Sequence, residues 1–175
     1  MLKNITSNTH ANRGMDLEAL LNKTNSYYST NEIAYIYKKH TPINIVKVDK
    51  EKIKEAYFSQ KSTTDYNGIY KGYYIDFDAK TTSTDSFNVK NNLHEHQYKH
   101  LINIDKLGGI GFLIVLFKKY NRFFLITINQ IKDLNTKQIK LQYFLDYCIE
   151  IQEQLNPSLN YLKAVDQVIE RIHNA

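Results

Sequence analysis

The stretch Thr63-Thr64-Asp65-Tyr66-Asn67-Gly68-Ile69-Tyr70-Lys71-Gly72-Tyr73-Tyr74-Ile75-Asp76-Phe77-Asp78-Ala79-Lys80 decides how this chain is read. From Tyr73 onward the residues alternate, so Tyr73, Ile75, Phe77 and Ala79 share one face of a strand while Tyr74, Asp76, Asp78 and Lys80 share the other. An antiparallel hairpin pairs residues whose numbers sum to a constant. A turn at Lys71-Gly72, where Gly accepts positive φ, sets Asp65 opposite Asp78. The rival turn, Asn67-Gly68, is a strong hairpin dipeptide. It would pair Asp65 with Tyr70 and leave Asp78 roughly 26 Å away at about 3.3 Å per residue. Lys71-Gly72 is therefore the expected turn, and Asn67-Gly68 is read as a bulge or bend.

Two carboxylates and an ammonium on one surface suit metal-dependent hydrolysis of a phosphodiester. That reaction needs charge stabilised on the non-bridging oxygens, a hydroxide generated near neutral pH and help for the leaving oxygen, which a carboxylate-bound divalent ion supplies. Oxygen ligands such as Asp65 and Asp78 match hard Mg²⁺ or Mn²⁺, and Lys80 can position water or offset developing negative charge. No thiolate cluster points to zinc. The competing explanation is a solvated strand face, because Asp-x-Asp-x-Lys is an ordinary pattern there.

At 175 residues and 42% hydrophobic content, residues 1–175 are expected to form one domain with a substantial core and one projecting element. Residues 1–11 are expected to be a disordered arm. The longest strongly apolar run, Ile110 to Phe117, is too short for a membrane helix and suits a buried strand. The N-terminus lacks a secretory hydrophobic region, and the single Cys148 allows no intrachain disulfide, which fits a reducing cytoplasm.

The net charge of +5 favours an anionic partner. Its distribution says more than its total. Residues 38–61 hold seven lysines against Asp49, Glu51 and Glu55, which gives +4. This stretch reads as two β arms, Ile43 to Val48 and Lys54 to Phe58, joined by the charged tip Asp49-Lys50-Glu51-Lys52. The expected form is a hairpin stalk over about residues 41–60. On it Lys47, Lys50, Lys52 and Lys54 can contact phosphates without reading sequence, and Tyr57 or Phe58 can stack on bases. The plainer alternative is an edge hairpin whose lysines prevent aggregation.

Elsewhere an α/β layout is expected. Asn12 is read as the N-cap of a helix from Arg13 to about Tyr28, with Leu17, Leu20, Leu21 and Thr24 inward and Arg13 and Glu18 toward a groove. Strands are expected near Ile33 to Tyr37, Ile43 to Val48, Ala56 to Thr64 and Tyr73 to Lys80. A helix from Asn92 to Lys106 ends at Gly108-Gly109. A second hairpin, Ile110 to Phe117 with Arg122 to Ile128, precedes helical segments near Gln130 to Leu134 and Gln138 to Leu155, and a terminal helix from Leu159 to His173. In the Asn92–Lys106 helix Gln97 interrupts the apolar stripe of Leu93 and Leu101. Its amide either completes a metal shell or bonds to backbone. His94, His96 and His100 are read as surface or DNA-facing residues.

Taken together, Asn12-Arg13-Gly14-Met15 with Leu17-Glu18, Ile45-Val46-Lys47-Val48, Ile53 to Phe58, Ser62 to Gly68, Tyr70-Lys71-Gly72, Tyr74-Ile75-Asp76-Phe77 and His96-Gln97 resemble the bacterial RecU-type Holliday junction resolvases. The resemblance covers roughly residues 12 to 130 and continues more weakly beyond. It implies a restriction-endonuclease-like α/β fold, a mixed central sheet flanked by helices with a projecting β-hairpin stalk. It further implies a bacterial, cytoplasmic, nucleoid-associated homodimer that makes paired nicks in four-way DNA junctions with Mg²⁺ or Mn²⁺, alongside recombination proteins. Residue by residue, Thr63, Asp65, Asp78 and Gln97 would form the metal site, Lys80 would stabilise the transition state, and Glu18 would be a supporting acid. Arg13 and the stalk lysines would contact DNA. Two departures stand out: the family usually has Glu where this chain has Asp78, and the stalk is shortened near Lys50 to Lys52. A junction-binding accessory protein would need only the dimer and the stalk, whereas a sequence-specific endonuclease would cut linear duplex.

Overall fold

The computed structural model describes residues 16–58 and 63–174, so the expectations for residues 1–11 and for Arg13 lie outside it. Helix α1, Leu17–Thr30, starts after Asp16, whose side chain accepts the Ala19 N–H. This corrects the expected start at Arg13: Asp16 has extended backbone and satisfies one of the free N–H groups of the first turn. Leu17, Leu20, Leu21 and Thr24 are buried, as their spacing requires.

Strand β1 (Tyr35–Lys38) leads into the β2 (Ile43–Asp49) and β3 (Lys52–Phe58) hairpin, a separate two-stranded sheet whose residues are all exposed. Its turn residues Lys50 and Glu51 both have positive φ, and the ladder is irregular around Val46. Of the strand expected from Ala56 to Thr64, Ala56 to Phe58 belong to β3 and Thr63 and Thr64 lie in no strand, while residues 59–62 fall outside the described ones.

Strands β4 (Tyr66–Tyr70) and β5 (Tyr73–Thr82) pair through Tyr70↔Tyr73 and Tyr66↔Phe77, with Lys71 and Gly72 at positive φ in the turn. This is the register that sets residue 65 opposite residue 78. The bulge expected at Asn67-Gly68 is absent, because both residues sit in the regular ladder, Asn67↔Asp76 and Gly68↔Ile75. Close approach explains this glycine: a Cβ there would lie 2.1 Å from the Tyr35 carbonyl oxygen and 2.6 Å from Ile36 Cα.

After β5 come β6 (Ser86–Asn88), the short α2 (Val89–Asn92) and α3 (Glu95–Lys106), then β7 (Ile110–Phe117) and β8 (Arg122–Thr127). Gly108, at φ +86°, turns the chain out of α3. The chain continues through α4 (Ile128–Leu134), β9 (Gln138–Lys140), α5 (Leu141–Tyr147), β10 (Ile149–Ile151) and α6 (Tyr161–His173). The helix expected over 138–155 is therefore two short strands around a short helix. Buried Ile149 and Ile151 flank Glu150 with period two, and β10 pairs with β8 at the sheet edge. Arg122 forks onto Glu150 at 2.6 and 2.7 Å across that pair.

The six-stranded sheet has the order β1-β4-β5-β7-β8-β10 and is antiparallel except for β5–β7. Strand β7 is buried along its whole length. Its Phe112 and Ile114 join a core with α1, α6, Ile75 and Phe77, while Leu113, Val115 and Phe117 join a second core with Leu101, Ile128, Ile131 and Phe144. The parallel step requires a crossover, and α3 is part of it. That crossover lays α3 against the face of β5 that carries Asp76, Asp78 and Lys80.

Candidate active site

Asp76 and Asp78 are both fully buried, two residues apart on one face of β5, yet their surroundings are opposite. Asp76 accepts from four donors. Its Oδ2 accepts from Lys39 Nζ at 2.7 Å, His100 Nε2 at 2.8 Å and the Tyr74 hydroxyl at 3.1 Å, and its Oδ1 accepts from the Thr64 hydroxyl. Neither oxygen of Asp78 accepts a well-directed hydrogen bond among the described residues. Lys80 Nζ comes within 3.0 Å of Asp78 Oδ2 as an ion pair, outside hydrogen-bonding angles.

A buried carboxylate without hydrogen bonds holds its charge poorly. The Asp78 carboxyl is pushed up to about 8, chiefly by burial and next by the adjacent Asp65 carboxyl, with Lys80 opposing the shift. Asp65 stands where the hairpin register requires. Its Oδ2 accepts the Ala79 N–H at 3.0 Å, and its own carbonyl accepts the Lys39 N–H at 2.8 Å. Asp65, Asp78 and Lys80 thus converge.

The remaining candidates are arranged less simply. Thr63 Oγ1 lies 3.2 Å from Lys39 Nζ. Gln97 is buried on α3, and its Oε1 accepts the His94 N–H at 3.1 Å as part of a capping box. One lone pair of that oxygen is committed to the backbone, and the other is available to a cation. Glu18, on the first turn of α1, is 55% exposed and ion-paired with Lys38. It and Asp65 both act on Tyr66, whose phenol is raised chiefly by burial. Lys47, Lys50, Lys52 and Lys54 are exposed on the β2–β3 hairpin, where Lys54 pairs loosely with Asp49 at 3.6 Å.

His100 corrects the surface reading given to the three histidines, because it reaches Asp76 from α3. Sequence reasoning alone misses the cluster that surrounds Asp76. One signal for it exists: an Asp on an inward-facing strand position needs donors. Gln97, His100 and Leu101 also share one side of a helix by their spacing.

Among the described residues no group of three His, Cys, Asp or Glu side chains comes together as a metal cluster. The carboxylate and amide oxygens that Asp65, Asp78 and Gln97 offer fit Mg²⁺ or Mn²⁺ better than zinc. Such an ion is held by one or two carboxylates, neutral oxygens and water, and the bare oxygens of Asp78 beside Asp65 are what such a cation would satisfy.

The sequence model of the family RecU, Recombination protein U, matches residues 12–167. The chain is 46% identical over 178 residues to the Holliday junction resolvase RecU of Pediococcus pentosaceus, covering 93% of this chain and 87% of the relative. It is 48% identical over 171 residues to the Holliday junction resolvase RecU of Leuconostoc mesenteroides, covering 92% and 84%. Among solved structures, Archaeoglobus fulgidus Hjc, a Holliday junction resolvase, superimposes with a TM-score of 0.46 at 8% identity over 69% of this chain and 85% of that chain.

Proposed function

The chain belongs to the RecU family, and from that premise we propose that it is a Holliday junction resolvase, a divalent-metal-dependent endonuclease that makes paired nicks in four-way DNA junctions. The observation that carries the metal-dependent part is the buried carboxylate of Asp78, whose oxygens accept no hydrogen bond among the described residues, set beside Asp65 and Lys80.

In this reading Thr63, Asp65, Asp78 and Gln97 would hold Mg²⁺ or Mn²⁺, which supplies Lewis-acid stabilisation of the phosphate and an acidified water. Asp65 is kept in place by the Ala79 N–H. Asp78 must lose its proton to act as a ligand, and Lys80 at 3.0 Å favours that loss. Lys80 is only 17% exposed, so its ammonium acts at short range with little solvent screening on charge that develops on the scissile phosphate. Glu18, ion-paired with Lys38, would serve as a supporting acid. Asp78 is one methylene shorter than the usual Glu, which alters the reach to the cation while keeping its donor type.

The β2–β3 hairpin is proposed as the junction-binding stalk, with Lys47, Lys50, Lys52 and Lys54 meeting phosphates. Its apolar side chains support a homodimer. Ile43, Ile45, Val46, Val48, Ile53, Tyr57 and Phe58 are all exposed, and an isolated two-stranded hairpin is marginal in water. A second copy would cover them, and a two-fold axis would set two sites for two symmetric cuts. Among the described residues, no helix is long and apolar enough to cross a membrane.

The test is cleavage of an end-labelled four-way junction by wild type, Asp65→Ala and Asp78→Ala with Mg²⁺, Mn²⁺ or chelator. Cuts are expected only in wild type with metal, while all three proteins bind the junction equally in chelator. Cutting in chelator, or by Asp78→Ala at the wild-type rate, would remove the metal site from the mechanism.

A further inference from the structure

The cluster around Asp76 joins four parts of the chain that have different tasks. Lys39 lies between β1 and β2, at one root of the hairpin, and Thr63 and Thr64 lie before β4, at the other root. Lys39 Nζ bonds Thr64 Oγ1 at 2.6 Å and Thr63 Oγ1 at 3.2 Å, and its backbone N–H bonds the Asp65 carbonyl at 2.8 Å. The Thr64 hydroxyl and Lys39 both end on Asp76, which belongs to the same strand as Asp78. His100, which reaches the same oxygen, is three residues beyond Gln97 on α3. Every segment that carries a proposed metal ligand is therefore tied to one fully buried carboxylate.

We propose that Asp76 is a positioning residue. With Thr64 and Lys39 it fixes the segment Thr63-Thr64-Asp65 against β5 and couples both roots of the junction-binding hairpin to the metal site. This rests on the metal-dependent resolvase reading above. Asp76 itself is not a ligand in this scheme, because four donors already hold its carboxylate, three of them on Oδ2, while the oxygens of Asp78 accept none among the described residues. Outer-shell partners of this kind typically change metal affinity or activity about 10- to 100-fold when removed.

Thr64→Val is the sharpest test, since it keeps the buried shape and deletes only the hydroxyl that Asp76 accepts; Thr64→Ser restores it. For Thr64→Val, Mn²⁺ affinity measured by electron paramagnetic resonance is expected to fall on the order of tenfold. kcat on a four-way junction is expected to fall about 10- to 100-fold. KM and junction binding in chelator should stay near wild type. Thr64→Ser should stay within about twofold of wild type in each measurement. Tyr74→Phe, which removes an exposed residue's hydroxyl from Asp76, is the milder variant should Thr64→Val fail to fold. It is expected to lower Mn²⁺ affinity and kcat several-fold in the same pattern.

Wild-type Mn²⁺ affinity and kcat in both folded Thr64→Val and Tyr74→Phe would overturn the proposal. So would a Thr64→Ser variant as impaired as Thr64→Val, or a loss confined to junction binding. Wild type that binds Mn²⁺ without cutting junctions would reject the resolvase reading, and the Mn²⁺ affinities of the variants would still decide this one. Wild type that binds no Mn²⁺ would overturn both.

Discussion

Replacing Asp78 by asparagine is expected to stabilise the metal-free protein at pH 8 while abolishing its response to metal. Burial, with the adjacent Asp65 carboxyl second, moves the Asp78 carboxyl from an ordinary 3.8 to about 8. A carboxyl raised in this way binds more protons in the folded than in the unfolded chain between those two values. Stability therefore falls as pH rises from about 4 to about 8 and levels off above. At ~1.4 kcal/mol per unit, the cost at pH 8 is about 5 kcal/mol. Asparagine avoids that cost and in exchange buries an amide without partners, about 1–3 kcal/mol. The net gain is about 2–4 kcal/mol, roughly 5–15 °C in Tm for a chain of this size. The assay is thermal unfolding of wild type and Asp78→Asn in chelator from pH 4 to 8.5, repeated with Mn²⁺. The gap should open with rising pH, and Mn²⁺ should raise the wild-type Tm alone. A gap that does not change with pH, or an asparagine variant that melts lower at pH 8, would show that burial does not hold the Asp78 carboxyl protonated.

Three further outcomes are expected. Gly68→Ala should cost roughly 3 kcal/mol or more by denaturant titration, because the new methyl would meet the backbone of β1 at 2.1 and 2.6 Å. Changing Lys47, Lys50, Lys52 and Lys54 to alanine one at a time should lower the slope of log junction affinity against log salt by about 0.9 for each phosphate that is no longer neutralised. The cutting rate at saturating junction should be kept, and an unchanged slope in all four would place the DNA elsewhere. Cys148, pushed up to about 12 by burial, should react with iodoacetamide at pH 8 far more slowly than in the denatured chain; equal rates would contradict its burial.

How far the fold can be read from the sequence depends on the range of the forces involved. The β4–β5 register follows from period-two alternation and one glycine turn, so Asp65 and Asp78 come together before any coordinates. Gly68 misleads because its local dipeptide is a hairpin signal, whereas the deciding approach comes from Tyr35 and Ile36, more than thirty residues away. The strand β10 escapes sequence reasoning for a similar reason: three residues carry little periodicity, and their state is set by pairing with β8. At the site, Asp65, Asp78 and Lys80 are legible because they belong to one hairpin. Lys39, Thr64 and His100 are not, since only tertiary folding gathers them on Asp76. Gln97 stands out as a polar residue in an apolar stripe, and the structure commits part of its amide to the α3 cap.

The most direct test of the account is mapping of the cuts made by wild type in a four-way junction labelled on each strand in turn, beside a linear duplex of the same sequence. With Mg²⁺ or Mn²⁺, two nicks at symmetric positions across the branch are expected, with the duplex left intact. Tight junction binding without nicks under either ion, or equal cutting of the duplex, would contradict the account.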